Sequence, residues 1–143
     1  MNAVERRPTT AEDVRAVLGN LSLISAEELN KAGVIDREAV VLALLSGGEA
    51  ETFCEAGAPV CILGCTVSDR RLGTWFIATE RFFNLKAATV FPSRRVLREI
   101  RERHPGIPIE ACSWSKHPQA RRWFELLGFK LLEANGYLRF RLV

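Results

Sequence analysis

Residues 117–129 read HPQARRWFELLGF. Ala120, Trp123, Phe124 and Leu127 fall at i, i+3, i+4 and i+7, which is one apolar stripe of an amphipathic helix. Pro118 suits a first helical turn, where its missing N–H costs nothing. Gly128 is a stop signal. The spacing therefore predicts a helix from Pro118 to Leu127. Its flanks decide the fold. Upstream, PIEACSW (108–114) reads as a short strand. Downstream, FKLLEA (129–134) and GYLRFRLV (136–143) read as two strands, with Asn135-Gly136 as a hairpin signal.

Working outward, SRRVLREIRERH (93–104) carries an apolar stripe of Val96, Leu97 and Ile100. Pro92 is expected in its first turn, and His104, Pro105 and Gly106 end it. His104 reads as a helix C-terminal residue favoured by the dipole. TWFIAT (74–79), PVCILGCTV (59–67) and Glu49 to Glu55 form a predicted antiparallel meander, joined at DRRLG and EAGAP. PVCILGCTV is apolar on both faces and is placed centrally. Before the meander come three helices. Thr9 and Glu12 have capping-box spacing for the first, whose stripe is Ala11, Val14, Leu18 and Leu21. Ser25 and Glu28 mark the start of the second, which ends near Gly33. Asp36 caps REAVVLALLS, which is apolar nearly all round and so is expected to pack deeply. Val4 to Arg7 supplies a short first strand.

A strand–helix–strand step in the second half requires parallel pairing. The fold class is therefore α/β (α+β): a mixed, mostly antiparallel central sheet flanked by helices, in one domain over residues 1–143.

The 143 residues carry a net charge of only +3, which does not itself argue for nucleic acid. Arginines do cluster at 94, 95, 98, 101 and 103, and again at 121 and 122. A solvated helix face and an anion-binding face both fit that pattern. One basic face without interleaved aromatics argues against nucleic acid. Cys54, Cys61, Cys65 and Cys112 form no CxxC pair, so they read as buried free thiols of a reducing cytoplasm, with no metal site. Nothing is long and apolar enough for a membrane span, and the N-terminus lacks the apolar core of a signal peptide.

The element order, together with HPQARRWFELLGF ahead of a last hairpin, resembles the Gcn5-related N-acetyltransferase (GNAT) superfamily. The penultimate helix of that superfamily often reads N-x-x-A-x-x-x-Y-E-x-L-G-F. Here His117 stands at the Asn, Ala120 at the Ala and Phe124 at the Tyr, followed by Glu125, Leu127, Gly128 and Phe129. WFIAT, the basic SRRVL helix and ARRWFELLGF together also look like small acetyltransferase-like proteins of tailed bacteriophages, several of which are internal virion proteins. Such a protein is expected in a host cytoplasm or in a phage particle.

The resemblance implies transfer of an acetyl group from acetyl-CoA to an amine. It also exposes departures. The superfamily holds the cofactor's pyrophosphate on a glycine-bearing [RQ]-x-x-G-x-[GA] loop, where backbone N–H groups meet the phosphates at a helix N-terminus. The corresponding ATERFFNLKAATVFPSRR (78–95) contains no glycine. Arg81, Lys86, Arg94 and Arg95 are the residues that would offer charge to the cofactor instead. Phe124 has no hydroxyl to serve as general acid. The lone tyrosine, Tyr137, falls in the last hairpin. His117 is a candidate for cofactor contact and for acid–base work; it also reads as a helix-start residue, with Ser113 or Ser115 sharing the capping. Glu80 is a candidate base, or a solvated strand-end carboxylate, and Glu110 is similar. Trp123 belongs to the core stripe, and Trp114 to the core or the cleft wall. Two functions stay open: an N-acetyltransferase, and a non-catalytic module that binds other phage virion proteins. Oligomeric state is not legible.

Overall fold

The computed structural model describes residues 4–85 and 87–143. The elements run β1 (Val4–Pro8), α1 (Ala11–Leu18), α2 (Leu23–Lys31), α3 (Arg37–Ser46), β2 (Gly48–Glu55), β3 (Ala58–Ser68) and β4 (Arg71–Ala78). Then come α4 (Glu80–Asn84), α5 (Ala87–Arg103), β5 (Ile109–Ser113), α6 (Pro118–Leu126), β6 (Phe129–Ala134) and β7 (Leu138–Leu142). One sheet holds all seven strands in the order β1-β2-β3-β4-β5-β7-β6. Every pairing is antiparallel except β4 with β5. The expected mixed sheet, its meander and its single parallel step are all present.

Two apolar layers cover the sheet. On one face, Val96, Leu97 and Ile100 of α5 and Trp123 and Leu127 of the α6 region bury against Phe53, Leu63, Leu72 and Phe140. On the other, Val14 and Val17 of α1 and Val41 of α3 bury against Ile62 and Ile77. β3 is buried from Val60 to Cys65 and feeds both layers, as its two-faced apolar run requires. All four cysteines are free thiols. Burial raises each of them, Cys65 to about 12 beside Glu49, so none is an activated nucleophile.

Four local expectations need correction. The α1 cap is Thr10, not Thr9: Thr10 and Asp13 close the capping box, while the Thr9 hydroxyl accepts from Thr52 at 2.9 Å. The α2 cap is Ser22, three residues ahead of Ser25. Only Val41 of α3 is fully buried, and Val40 is 37% exposed, because α3 is an outer helix that meets the protein on one side. Pro92 lies inside α5, five residues beyond its start. Burial of Thr89, Val96 and Leu97 on one face of α5 sustains the helix through the hydrogen bond that proline cannot make. Asp36 does cap α3, and Gly136 takes the positive φ that the last hairpin needs.

Buried carboxylates tie stability to pH. Burial works against the charge on Asp13, yet hydrogen bonds from Arg7, the Thr10 N–H and Thr52 hold its carboxyl below the usual range. Burial likewise opposes charge on Glu110, and Arg141, Arg139 and Arg71 overcome it. Both groups are depressed in the folded state, so their contribution is complete above their ordinary values and is lost as pH falls through the folded ones. The urea midpoint is expected to hold level down to about pH 5 and to drop below about pH 4. Asp13→Asn is expected to flatten that drop; an unchanged slope would clear Asp13 of the role.

Candidate functional site

The parallel pairing of β4 with β5 is short. It covers Leu72 to Thr74 against Ile109 to Ala111. Beyond it the strands part. β4 continues to Ala78 along β3, while β5 continues to Ser113 along β7. The gap opens into a cleft of about 600 Å³, the size of a small-ligand pocket. Its lining includes the aromatic side chains Trp75, Phe76, Phe83, Trp114, Trp123 and Phe124. Polar groups are few, among them Ser25, Glu28, Arg71, Thr74 and Glu110.

The walls are set by packing. The Trp75 indole lies flat on Gly64, where a Cβ would come within 2.4 Å of the ring. Trp123 stacks on Phe76 with centroids 5.5 Å apart and meets Phe82 edge-on at 5.0 Å. Phe124 stacks on Phe140 at 5.0 Å, so the residue at the superfamily's Tyr position also serves the core. Trp114 stacks on Tyr137 at 5.3 Å, which makes the lone tyrosine a hairpin packing residue. Both the Trp75 and Trp123 Nε1–H groups are buried without a partner among the described residues.

Helix α2 spans the gap between the two strands. At its start, the Ser22 N–H donates to the Ala78 carbonyl at 2.9 Å, and the Ala78 N–H donates to Ser25 Oγ at 3.0 Å. The Leu23 N–H donates to Glu80 Oε1 at 2.9 Å. One turn on, Glu28 accepts from the Trp114 N–H at 2.7 Å, the Ser115 N–H at 3.0 Å and the Ser113 hydroxyl. Glu27 accepts from the Lys116 N–H at 3.1 Å and from the Ser115 hydroxyl. These contacts tie α2 to the end of β4 and to the end of β5. Hydrogen bonding, above all from Ser115, holds the Glu27 carboxyl below the usual range.

Of the residues singled out in the sequence, Glu110 and Trp114 line the cleft, and Glu80, Arg81, Arg94, Arg95 and His117 do not. Glu80 is the first residue of α4, not a strand end, and its carboxylate holds the Leu23 N–H. His117 is the N-cap of α6: its Nδ1 accepts from the Gln119 N–H at 3.2 Å, and its own N–H donates to Ser115 Oγ. It borders a shallower hollow with Lys116, Arg121 and Tyr137. Arg81 forms a bidentate pair with Glu55 at 2.5 and 2.8 Å. Arg94 and Arg95 are exposed on α5, and neither is among the cleft-lining residues. Lys86 lies outside the described residues. Among the described residues, no group of His, Cys, Asp and Glu could hold a metal ion.

Sequence reading missed Glu27, Glu28, Ser22 and Arg71. Only one signal was present, the Ser25–Glu28 spacing, and it was spent on a capping box. Between Ala78 and Arg95, where a glycine-bearing phosphate loop would lie, the described chain is mostly helical.

No family model matches the chain, and no curated protein matches it in sequence. Solved structures do match over nearly the full length. The PaiA N-acetyltransferase of Thermoplasma acidophilum in complex with coenzyme A aligns with a TM-score of 0.70 at 9% identity, covering 98% of both chains. A putative GNAT-family acetyltransferase of Desulfovibrio desulfuricans aligns at 0.66 and 18% identity, again covering 98% of both. The ribosomal-protein-S18-alanine N-acetyltransferase of Escherichia coli aligns at 0.68 and 11% identity, covering 99% of this chain and 93% of that one. The fold is that of the GNAT acetyltransferases, with the parting of β4 and β5 ahead of α6 and the closing hairpin.

Proposed function

We propose that the protein is a GNAT-type, N-acetyltransferase-like protein that receives the thioester arm of acetyl-CoA between β4 and β5. The observation that carries this reading is the parting of those strands. Beyond Thr74 the next β4 residue of the same parity, Phe76, has a ladder partner only on the β3 side. A slender chain with amide groups suits such an edge, and the aromatic walls suit its apolar body. The residues fit that arm. They do not fit a firmly held diphosphate, because no glycine supplies an amide cradle and Arg81 is committed to Glu55. Arg94 and Arg95, with Lys86, are left to supply charge alone.

When bound, acetyl-CoA would supply an activated acetyl group. The chain's part would be to orient an amine, remove its proton and exclude water. Phe124 cannot donate a proton, and Glu80 and His117 are engaged in backbone hydrogen bonds outside the cleft. Turnover is therefore expected to be slow. Calorimetry is expected to show coenzyme A binding with a Kd near the millimolar range, about −4 kcal/mol. No heat at millimolar ligand would overturn the reading.

The same commitment of Glu80 and His117 favours a second reading: a non-catalytic accessory protein of phage or prophage type that binds other virion proteins. Mass spectrometry of purified particles would then find the chain in them; its absence there, with coenzyme A bound in solution, would leave the first reading alone.

A further inference from the structure

The half of the sheet formed by β4, β5 and β7 carries three arginines on one face. Alternate residues of β4, β5 and β7 put Arg71 and Gly73, Glu110 and Cys112, and Arg139 and Arg141 on it. Three guanidiniums gather round the buried carboxylate of Glu110. Arg141 Nη2 lies at 2.6 Å, Arg139 Nη1 at 3.3 Å and Arg71 Nη1 at 3.7 Å. Glu133 faces Arg139 at 3.3 Å. Within ion-pair distance three guanidiniums thus meet two carboxylates, which leaves one guanidinium in excess of the paired groups.

That excess resides at Arg71. Its distance from Glu110 is beyond hydrogen-bond range, its side chain is 57% exposed, and it makes no side-chain hydrogen bond among the described residues. Arg71 also lines the mouth of the cleft. Gly73, next along the same face, leaves the floor bare: a Cβ there would meet nothing nearer than Thr66 Oγ1 at 3.8 Å. Glu28 of α2 and Asp69 border the same opening, and neither forms a salt bridge with Arg71.

We infer that Arg71 receives the carboxylate of the acceptor, which makes the acceptor an amine that also carries a carboxylate group. A planar guanidinium with unspent donors matches a carboxylate in two parallel hydrogen bonds. A single guanidinium beside two carboxylates matches a singly charged anion better than a doubly charged phosphate. Glu28 and Asp69 then border the opening on the side where an ammonium would be favoured. The amine half of the statement rests on the acetyltransferase reading; the carboxylate half does not.

The test is an NMR titration of the 15N-labelled full chain without coenzyme A, using L-glutamate, propylamine and inorganic phosphate. L-Glutamate is expected to shift the Gly73 and Cys112 amides saturably, and propylamine is not. Arg71→Gln should weaken L-glutamate binding about tenfold or more. Arg71→Lys should recover only part of it, since it restores charge without the fork. The thermal midpoint of Arg71→Lys should stay at the wild-type value and that of Arg71→Gln should fall only slightly, because Arg71 is the most distant of the three cations around Glu110. Absence of the shifts, equal affinity in Arg71→Gln, or tighter binding of phosphate than of L-glutamate would each overturn the inference. Loss of coenzyme A binding with L-glutamate binding intact would sink the acetyltransferase reading and leave this site standing.

Discussion

Trp123→Ala is expected to lower the stability of the protein by ~3–5 kcal/mol, read as a fall in the urea midpoint. Trp123 is only 6% exposed. Its ring meets Phe76, Phe82 and Phe83, which tie α6 to β4 and α4. Truncation removes the transfer energy of a large side chain and leaves a cavity beside an existing cleft. That cleft cannot close by collapse, because the ends of β4 and β5 are held apart by their pairing with β3 and β7. The indole N–H contributes nothing to the loss, since it has no partner within the described protein. Trp123→Phe keeps most of the ring contact and is therefore expected to cost less than half as much. Equal losses in the two variants would show that the N–H, and not the packing, is what α6 depends on.

Trp123 also shows which part of the molecule was legible in sequence. The stretch around it resolved almost to the residue: Pro118 begins α6, Leu127 caps it, and Gly128 takes a φ of +100°. Each signal there is local, so no distant residue can overrule it. The capping positions of α1 and α2 were not fixed in this way. Thr9 and Thr10 are equal candidates by type, and the choice falls to Thr10 because Asp13 also meets Arg7 and Thr52. Ser22 outranks Ser25 because the Ser25 hydroxyl is needed by Ala78, 53 residues away. The burial of α3 was overestimated for a related reason. An apolar composition says that a helix can be buried, and only the neighbouring layers say how much of it is.

The cleft itself had no local signature. It exists because two strands pair over three residues and then follow different neighbours, which is a property of topology. Of the residues singled out in the sequence, His117 makes only local hydrogen bonds at a helix start, while Glu80 reaches Leu23 and Arg81 reaches Glu55. Those that span the site, Glu27 and Glu28, act on backbone groups more than 80 residues away. A carboxylate three residues after a serine looks the same in sequence whether it closes a capping box or reaches across a cleft.

Glu28→Ala is expected to cost ~2–4 kcal/mol, the second large effect, and to act on one place. A single carboxylate accepts from two backbone N–H groups and a hydroxyl, and hydrogen bonds to a charged partner contribute ~1.5–3 kcal/mol each before water replaces them. Ser113 is fully buried, so its hydroxyl gains little from solvent when Glu28 is removed. Glu28→Gln keeps one carbonyl oxygen as acceptor and is expected to lose about half as much. The local consequence separates this account from general destabilisation. With Glu28 gone, only Glu27 still ties α2 to the segment after β5, through Ser115 and Lys116, while Ser22 and Ser25 still hold the start of that helix to Ala78. Hydrogen exchange at Trp114 and Ser115 should therefore accelerate by more than the global loss of stability requires. Exchange at Ile77 and Ala78 should track the global loss alone. Uniform acceleration across both strands would mean that α2 stabilises the sheet as a whole and does not bridge its two halves. With the expected pattern, the width of the cleft is set by α2, through carboxylates on the opposite side of the sheet from α6.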